Sequence, residues 1–231
     1  MADLFETHRE LLNRAVEATA ERGFWSAYPE MPSGKIYGET AKQDGEAAFN
    51  ARLGKPFALP GHPGDRGTVG AETSPYGPAL DIAYPAASVD TLIAASTAAG
   101  KAWAAATVEQ RAGVCLEILA RLNRRSFEIG NAVMHTTGQA FVMAFQAGGP
   151  HAQDRALEAV AYAYAEMTRT PATVEWSKPQ GKHDPLVLEK RYRIVPRGIA
   201  LTIGCATFPT WNGYPGMFAS GRIAVGCGFT I

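Results

Sequence analysis

The segment that most constrains the fold is a short apolar run near the C-terminus, Ile199 to Ile203, with Gly198 before it and Gly204 after it. Five residues are too few for a helix, and β-branched residues between glycines are typical of a strand that is buried on both faces. The run therefore predicts a strand of a parallel sheet. Ligands of such sheets bind at the turns after the carboxyl ends of strands, so the turn from Gly204 to Pro209 is the first candidate site.

A short helix is predicted directly after this turn. Asn212 is a residue type that often caps a helix, and the apolar residues Met217 and Phe218 follow it. Strand, turn and helix together indicate the opening of a β-α-β unit. The glycines between Gly221 and Gly228 do not have the G-x-G-x-x-G spacing of the dinucleotide fingerprint.

Most of the chain before Pro171 has the apolar spacing of amphipathic helices. Thr107 and Gln110 have the capping-box spacing, and Pro150 suits the first position of a helix. Cys115 falls on the apolar stripe of one helix, which indicates a core residue. The predicted helices are Asp3 to Arg22, Thr40 to Leu53, Ser88 to about Ala99, Thr107 to Leu122, Ser126 to Gly138, Phe141 to Ala147 and Pro150 to Thr168.

Two later segments alternate apolar and polar residues, as half-buried antiparallel strands do. They are Thr173 to Trp176 and Leu186 to Val195, and Ser177 to Pro185 is predicted as the loop between them. The order of elements is therefore a helical layer, then a hairpin-like pair, then the β-α-β opening.

A segment dense in glycine and proline, Lys55 to Pro78, predicts a surface connector rather than a packed element. Leu80 to Tyr84 then predicts a short strand. The connector divides the sequence into an N-terminal helical extension with its linker, residues 1–78, and a second unit, residues 79–231.

Composition excludes several function classes. Lys+Arg and Asp+Glu both number 22, so the formal net charge is zero and nothing points to nucleic acid or an anionic membrane. No apolar run is long enough to span a bilayer, and the acidic N-terminus lacks a secretory leader, so a cytoplasmic location is expected. The three cysteines are too scattered for a disulfide framework and the five histidines lie far apart, so no metal site is predicted.

Three stretches resemble the aldehyde dehydrogenase superfamily. His135-Thr136-Thr137-Gly138-Gln139 is similar to the family's Glu-Thr-Gly-Lys-Pro, at the end of a similar series of helices. Pro196 to Ile203 is similar to its Pro-x-Gly-Val-x-x-x-Ile strand, and Cys205 to Pro209 aligns with its Pro-Trp-Asn-Phe-Pro turn. The order and spacing of these motifs carry the resemblance.

The resemblance covers nearly all of Met1 to Ser220. The long extension before Pro75 and the run from Gly204 to Ser220 are most similar to one branch, the ring-cleavage semialdehyde dehydrogenases of phenylacetic acid degradation. The fold that the resemblance implies is α/β and aldehyde dehydrogenase-like. It has an N-terminal helical layer, antiparallel bridging strands and the incomplete start of a Rossmann-type parallel sheet.

The resemblance also implies a reaction, the NAD(P)-dependent oxidation of an aldehyde to an acid. In the family, a cysteine thiolate attacks the carbonyl, hydride passes to nicotinamide, and a glutamate activates water. Thr207 occupies the position of the family's asparagine, whose amide stabilises the oxyanion. The cofactor-binding residues implied are Ile203, Gly204, Cys205, Ala206, Thr207 and Pro209. NAD and NADP both stay open.

The sequence also departs from the family's pattern. Where the family has a strand ending in Lys-Pro, this chain has Gly221 to Ile231, an apolar segment without lysine that predicts a second strand. Neither Cys205 nor Cys227 has the sequence context of the nucleophile. These departures predict the N-terminal, truncated half of a cofactor-binding domain, which is inactive by itself.

In its full-length form the protein is expected to be a homo-oligomer that acts on a small aldehyde. The branch implies a semialdehyde of aromatic ring cleavage, with a coenzyme A thioester as one candidate form. The alternative hypothesis is a non-catalytic helical domain that docks a partner chain through exposed strand edges such as Arg191 to Val195.

Overall fold

The computed structural model describes residues 3–195 and 197–220 of the chain. Its helices are α1 (Leu4–Glu21), α2 (Gly34–Tyr37), α3 (Ala41–Asn50), α4 (Val89–Ala105), α5 (Val108–Asn123), α6 (Ser126–Thr137), α7 (Phe141–Gly148), α8 (Pro150–Thr168) and α9 (Pro209–Ser220). Its strands are β1 (Thr68–Val69), β2 (Tyr84–Pro85), β3 (Thr173–Gln180) and β4 (His183–Arg191). The strands form two separate antiparallel pairs, β1 with β2 and β3 with β4.

Helices α1, α5 and α8 form the main core. Leu12, Leu116 and Val160, one from each helix, are fully buried, and Phe218 of α9 joins the same cluster. Burying a side chain of this size contributes about 1.5–3 kcal/mol. The core therefore ties the first helix of the chain to α9, its last described helix.

Three helix starts that the sequence predicts are confirmed. The Asp3 carboxylate accepts a hydrogen bond from the backbone N–H of Phe5 at 3.0 Å, which caps α1. Thr107 and Gln110 form the reciprocal capping box of α5, with N···O distances of 3.2 and 3.0 Å. Pro150 is the first residue of α8.

Two predicted helix ends are wrong by a few residues. Helix α4 continues past Ala99 to Ala105, because alanine is a strong helix former and the single Gly100 does not end the helix. Helix α3 ends at Asn50 rather than at Leu53. The other helices predicted before Pro171 match the observed ones closely, whereas α2 was not predicted.

The glycine- and proline-rich segment, residues 55–78, is mostly exposed, as predicted, but parts of it are packed. Its β1 pairs with β2. Ser74 is only 2% exposed, and its hydroxyl lies 3.0 Å from Nδ1 of His135 on α6. The prediction of an unpacked connector is therefore wrong at these points, because local polar contacts hold the segment on the helical layer.

The strand predicted at Leu80 to Tyr84 is regular only at Tyr84–Pro85. Leu80 and Ile82 are nevertheless buried, against Phe49 of α3. Helices of the predicted extension pack on later helices, α1 on α5 and α8 and α3 on α6. The division between residues 78 and 79 stays a prediction.

The hairpin of β3 and β4 differs from the prediction in its turn and in the end of β4, which lies at Arg191 rather than at Val195. Its strands run to Gln180 and resume at His183, so the predicted loop from Ser177 to Pro185 is wrong. Gly181 takes the positive φ, 66°, that the tight turn requires. The prediction of half burial is also wrong, since every residue of both strands is exposed. Alternation of residue types specifies two faces but does not specify what covers them.

The apolar run Ile199 to Ile203 is not the buried strand that the sequence predicts. Residues 197–202 have no regular secondary structure, Ile203 forms a single β-bridge, and none of β1 to β4 pairs with this run. Ile199, Leu201 and Ile203 are 45%, 71% and 70% exposed. Helix α9 covers only one side, where a Cβ on Gly216 would lie 2.9 Å from Cγ2 of Thr202. Pro196 and the second strand predicted at 221–231 lie outside the described residues.

Two helical glycines allow a matched test of this packing. A Cβ on Gly113 of α5 would lie 2.5 Å from the backbone nitrogen of Phe5, whereas a Cβ on Gly100 of α4 meets nothing within 4 Å. Gly113→Ala should lower the free energy of unfolding by ~1–2 kcal/mol, because the close approach of two backbones cannot relax cheaply. Gly100→Ala should raise it by ~0.5–1 kcal/mol through helix propensity. Urea denaturation measures both, and equal stability of the two variants would contradict the packing.

Candidate functional site

The candidate turn, residues 203–208, leads directly into α9, which begins at Pro209. Proline suits this position because the N–H that it lacks would have no partner in the first helical turn. The remaining free N–H groups of that turn point out of the helix end and carry partial positive charge. Such an end is a favourable place for a phosphate group.

Two side chains close the turn on itself. The Cys205 sulfur accepts hydrogen bonds from the backbone N–H of Phe208 at 3.4 Å and from Nδ2 of Asn212 at 3.1 Å. The same amide nitrogen donates to the Phe208 carbonyl oxygen at 3.0 Å. Asn212 therefore holds the turn from inside α9. Its predicted role as the N-cap is wrong, because the helix begins earlier, at Pro209.

The connection between α6 and α7 reaches this turn from the helical layer. Gln139 donates a hydrogen bond from Nε2 to the carbonyl oxygen of Thr207. Its Oε1 is buried and has no partner within residues 3–195 and 197–220. The Tyr76 hydroxyl lies 3.2 Å from the carbonyl oxygen of Gly138 and 2.9 Å from that of Gln139. Residues that are distant in sequence thus fix the position of the Thr207 backbone.

Helix α9 is itself fastened to the helical layer. It packs against α8, and the Thr210 hydroxyl donates to the carbonyl oxygen of Gly148 at 2.9 Å. Burial raises the pKa of Tyr214 to about 12, although the nearby Arg125 guanidinium opposes this shift. A tyrosine in such surroundings stays neutral, so α9 presents no phenolate to a bound anion at physiological pH.

The six residues predicted to bind the cofactor lie together, because they are nearly consecutive in sequence. Ile203, Cys205, Ala206 and Thr207 are exposed, whereas Gly204 and Pro209 are half-buried. A Cβ on Gly204 would lie 3.1 Å from the carbonyl oxygen of Pro209, so the backbone is close to α9 at this point. The turn is open to solvent, and the cofactor and oxyanion roles of its residues stay predictions.

The two described cysteines have different surroundings. Cys115 is 4% exposed in the main core, as predicted from its place on an apolar stripe. Cys205 is exposed at the turn, where its sulfur accepts the two hydrogen bonds described above. Cys227 lies outside the described residues.

No group of three or more His, Cys, Asp or Glu side chains that could hold a metal ion occurs in the described part of the chain. Among the same residues, no helix combines the length and the apolar character needed to cross a bilayer.

The contact between Gln139 and the turn was not predicted from the sequence. Gly138 ends α6 with the positive φ of 78° that favours glycine. This local signal marks the end of a helix but does not say which distant segment the connection contacts, because that depends on how α9 packs.

No protein-family model matches the sequence, and a search of curated proteins gives no match. Among solved structures, the chain is similar over 100% of its length to the crystal structure of an NAD-dependent aldehyde dehydrogenase from Burkholderia multivorans. The sequence identity is 58% and the TM-score is 0.93. The chain belongs to the aldehyde dehydrogenase superfamily. It spans 41% of the length of that aldehyde dehydrogenase.

A second aldehyde dehydrogenase-like structure is more distant. It is a 1-pyrroline-5-carboxylate dehydrogenase from Thermus with bound NAD, to which the chain is 15% identical with a TM-score of 0.58. The match covers 90% of this chain and 39% of that one. At this identity only the fold is comparable. The predicted α/β, aldehyde dehydrogenase-like fold is confirmed, and it corresponds to the N-terminal part of a longer aldehyde dehydrogenase chain.

The contact between Gln139 and Thr207 gives a prediction that does not depend on activity. Gln139→Ala removes the donor to the Thr207 carbonyl, so backbone amides of residues 203–208 should exchange with deuterium at least about fivefold faster, which corresponds to ~1 kcal/mol. Gln43→Ala, at an exposed position of α3, is the matched control and should leave this exchange unchanged. Identical exchange in the two variants would mean that the hydrogen bond does not hold the turn.

Proposed function

We propose that this chain supplies the N-terminal, dinucleotide-binding part of an enzyme that oxidises an aldehyde to the acid with NAD(P). The observation that carries the proposal is 58% identity, over the whole chain, with an NAD-dependent aldehyde dehydrogenase. In this reaction the aldehyde carbon loses hydride to the nicotinamide and gains an oxygen from water. NAD is the first choice of cofactor, because both similar structures described above are named with NAD.

The turn from Ile203 to Pro209 is the proposed contact with the cofactor. It combines an exposed backbone, a close approach at Gly204 and the N-terminal end of α9. A pyrophosphate at that end would meet free N–H groups and the positive end of the helix dipole. Backbone groups would then provide much of the binding, which is why the side chains of the turn can differ from the family's pattern.

Thr207 is the proposed oxyanion donor. Its hydroxyl is exposed, and its backbone is held by Gln139, so the side chain starts from a fixed position. A single O–H donor that is positioned in advance can stabilise a developing oxyanion. Asn212 is a poorer candidate, because its amide nitrogen already donates to Cys205 and Phe208.

Residues 1–231 are proposed to be inactive by themselves. A nucleophilic cysteine must be accessible and readily ionised, whereas Cys115 is buried in an apolar core. Cys205 is engaged as a hydrogen-bond acceptor within the turn that is proposed to contact the cofactor. Neither described cysteine suits the nucleophile of this reaction.

The substrate class is proposed from sequence resemblance alone. The extension before Pro75 and the run from Gly204 to Ser220 are similar to ring-cleavage semialdehyde dehydrogenases of phenylacetic acid degradation. A semialdehyde from aromatic catabolism, free or as a coenzyme A thioester, is therefore the proposed substrate. The protein is also proposed to lie in the cytoplasm.

The experiment is calorimetric titration of NAD and NADP into residues 1–231. We expect saturable binding of NAD that Gly204→Val weakens at least about tenfold, or ~1.4 kcal/mol, because the new side chain would meet the Pro209 carbonyl. Gly23→Val is the control, since nothing lies within 4 Å of a Cβ there. Circular dichroism checks that both variants are folded. Absence of binding would contradict the dinucleotide role.

The same preparation tests the inactivity of the chain. With NAD and a semialdehyde, the absorbance of reduced nicotinamide should not rise above the rate without protein. Aldehyde-dependent reduction by residues 1–231 would show that the described cysteines have been interpreted wrongly.

The second candidate function, docking of another chain, is favoured by the exposed hairpin. The register pairs Val174 with Lys190 and Trp176 with Leu188, so the apolar residues Val174, Trp176, Leu186 and Leu188 share one face. A two-stranded ribbon with such an uncovered face is marginal in water by itself. We propose that this face contacts a second copy of the chain in a homo-oligomer, with or without catalysis.

Adjacent residues of β4 provide the matched test. Leu188 lies on the apolar face and Val187 on the opposite one, and they are 45% and 50% exposed. Leu188→Glu should shift the mass measured by light scattering towards that of the monomer, because a charge would be buried in the contact. Val187→Glu should leave the mass of the oligomer unchanged. A wild-type chain that is monomeric at all concentrations would contradict the docking role.

A further inference from the structure

A small cavity that is lined in part by α9 has no role in the proposed reaction. Its volume is about 210 Å³. Phe49, Leu80, Ile82 and Ala132 form apolar walls from three separate parts of the chain, and Tyr214 of α9 contributes to its lining. A cavity of about 150 Å³ with such walls can hold a single benzene ring, so this one has room for a ring and a small substituent.

The polar part of the cavity wall is a cluster of two arginines and one glutamate. Arg52 Nε lies 2.5 Å from Glu128 Oε1, and Arg125 contacts both carboxylate oxygens at 2.7 and 2.8 Å. Burial raises the pKa of Glu128, but the hydrogen bonds from Arg125 and Arg52 outweigh burial and hold the pKa below its usual value. Glu128 is therefore ionised at neutral pH, and the cluster carries two positive charges against one negative charge.

Arg52 has guanidinium N–H groups that can donate hydrogen bonds to a ligand. Its Nε donates to Glu128, and its guanidinium carbon lies 5.4 Å from the ring centroid of Phe57. Its terminal nitrogens have no hydrogen-bond partner in the part of the chain that the structure describes. A guanidinium offers five donors in a fork that fits a carboxylate. Glu72 acts on the pKa of Tyr84 at the same cavity, but Glu72 does not line it.

We propose that this cavity binds a small organic carboxylate, with its hydrocarbon part, up to one ring, among the apolar walls and its carboxylate against Arg52. The excess positive charge selects an anion, and the apolar walls select one with a hydrophobic body. Inorganic phosphate satisfies only the first requirement, and a neutral aromatic alcohol satisfies only the second. The site is separate from the turn at residues 203–209 and does not depend on the proposed dehydrogenase activity.

The test is calorimetric titration of residues 1–231 with three probes, namely benzoate, benzyl alcohol and inorganic phosphate. Benzoate should bind saturably with one site per chain, and each of the other two should bind at least about tenfold more weakly, or ~1.4 kcal/mol. Equal binding of benzyl alcohol would overturn the role of the arginines. Equal binding of phosphate would overturn the role of the apolar walls, and absence of benzoate binding would overturn the site.

Two variants locate the binding. Ala132→Leu fills the cavity without changing its charge and should weaken benzoate binding at least about tenfold. Ala98→Leu, at an exposed position of α4, is the matched control and should leave binding unchanged. Arg52→Met keeps an apolar stem, leaves Arg125 on Glu128, and should abolish the preference for benzoate over benzyl alcohol. Thermal melts monitored by circular dichroism establish that each variant is folded, and unchanged binding in a folded Ala132→Leu or Arg52→Met variant would overturn the proposal.

Discussion

The packing of α9 on the helical layer is the interaction on which the candidate site depends. Phe218 enters the core built by α1, α5 and α8, and the Thr210 hydroxyl bonds to the end of α7 at Gly148. Hydrophobic burial supplies most of the free energy of such a contact, whereas one hydrogen bond adds only about 1 kcal/mol. The core therefore fixes the position of α9 in the fold, and the N-terminal end of α9 fixes the position of the turn at residues 203–208.

A second contact that holds the turn comes from Gln139, which lies much earlier in the sequence, in the connection between α6 and α7. Helix α6 ends at Gly138, and Tyr76 contacts the backbone just beyond it, so the Gln139 side chain has a defined origin. Its bond to the Thr207 carbonyl fixes backbone rather than side-chain atoms. Within the described residues the Thr207 hydroxyl has no hydrogen-bond partner while the turn is held, which suits a residue whose proposed task is to donate to a ligand.

Predictions from the sequence are correct for features that neighbouring residues determine. They are wrong for features that depend on contacts between distant segments. The capping box of Thr107 and the proline at the start of α8 are local signals, and these helices begin where the signals predict. Alternation correctly indicated that β3 and β4 pair, but not that both faces are exposed, because burial depends on what lies alongside. The run at residues 199–203 failed for the same reason. Its apolar composition indicated a covered strand, but α9 covers only one side of it.

The Asn212 result shows how one local misprediction changes the chemistry expected of the site. As an N-cap, Asn212 would accept a hydrogen bond from the first helical turn with its side-chain oxygen, and its amide nitrogen would be able to donate to a ligand. Because α9 begins at Pro209, the residue lies inside the helix instead, and its nitrogen donates to Cys205 and Phe208. The same bonds occupy the exposed thiol of the turn. Among these side chains, Thr207 is then the one whose donor is not used within the turn, so the proposed oxyanion role falls to a hydroxyl rather than to an amide.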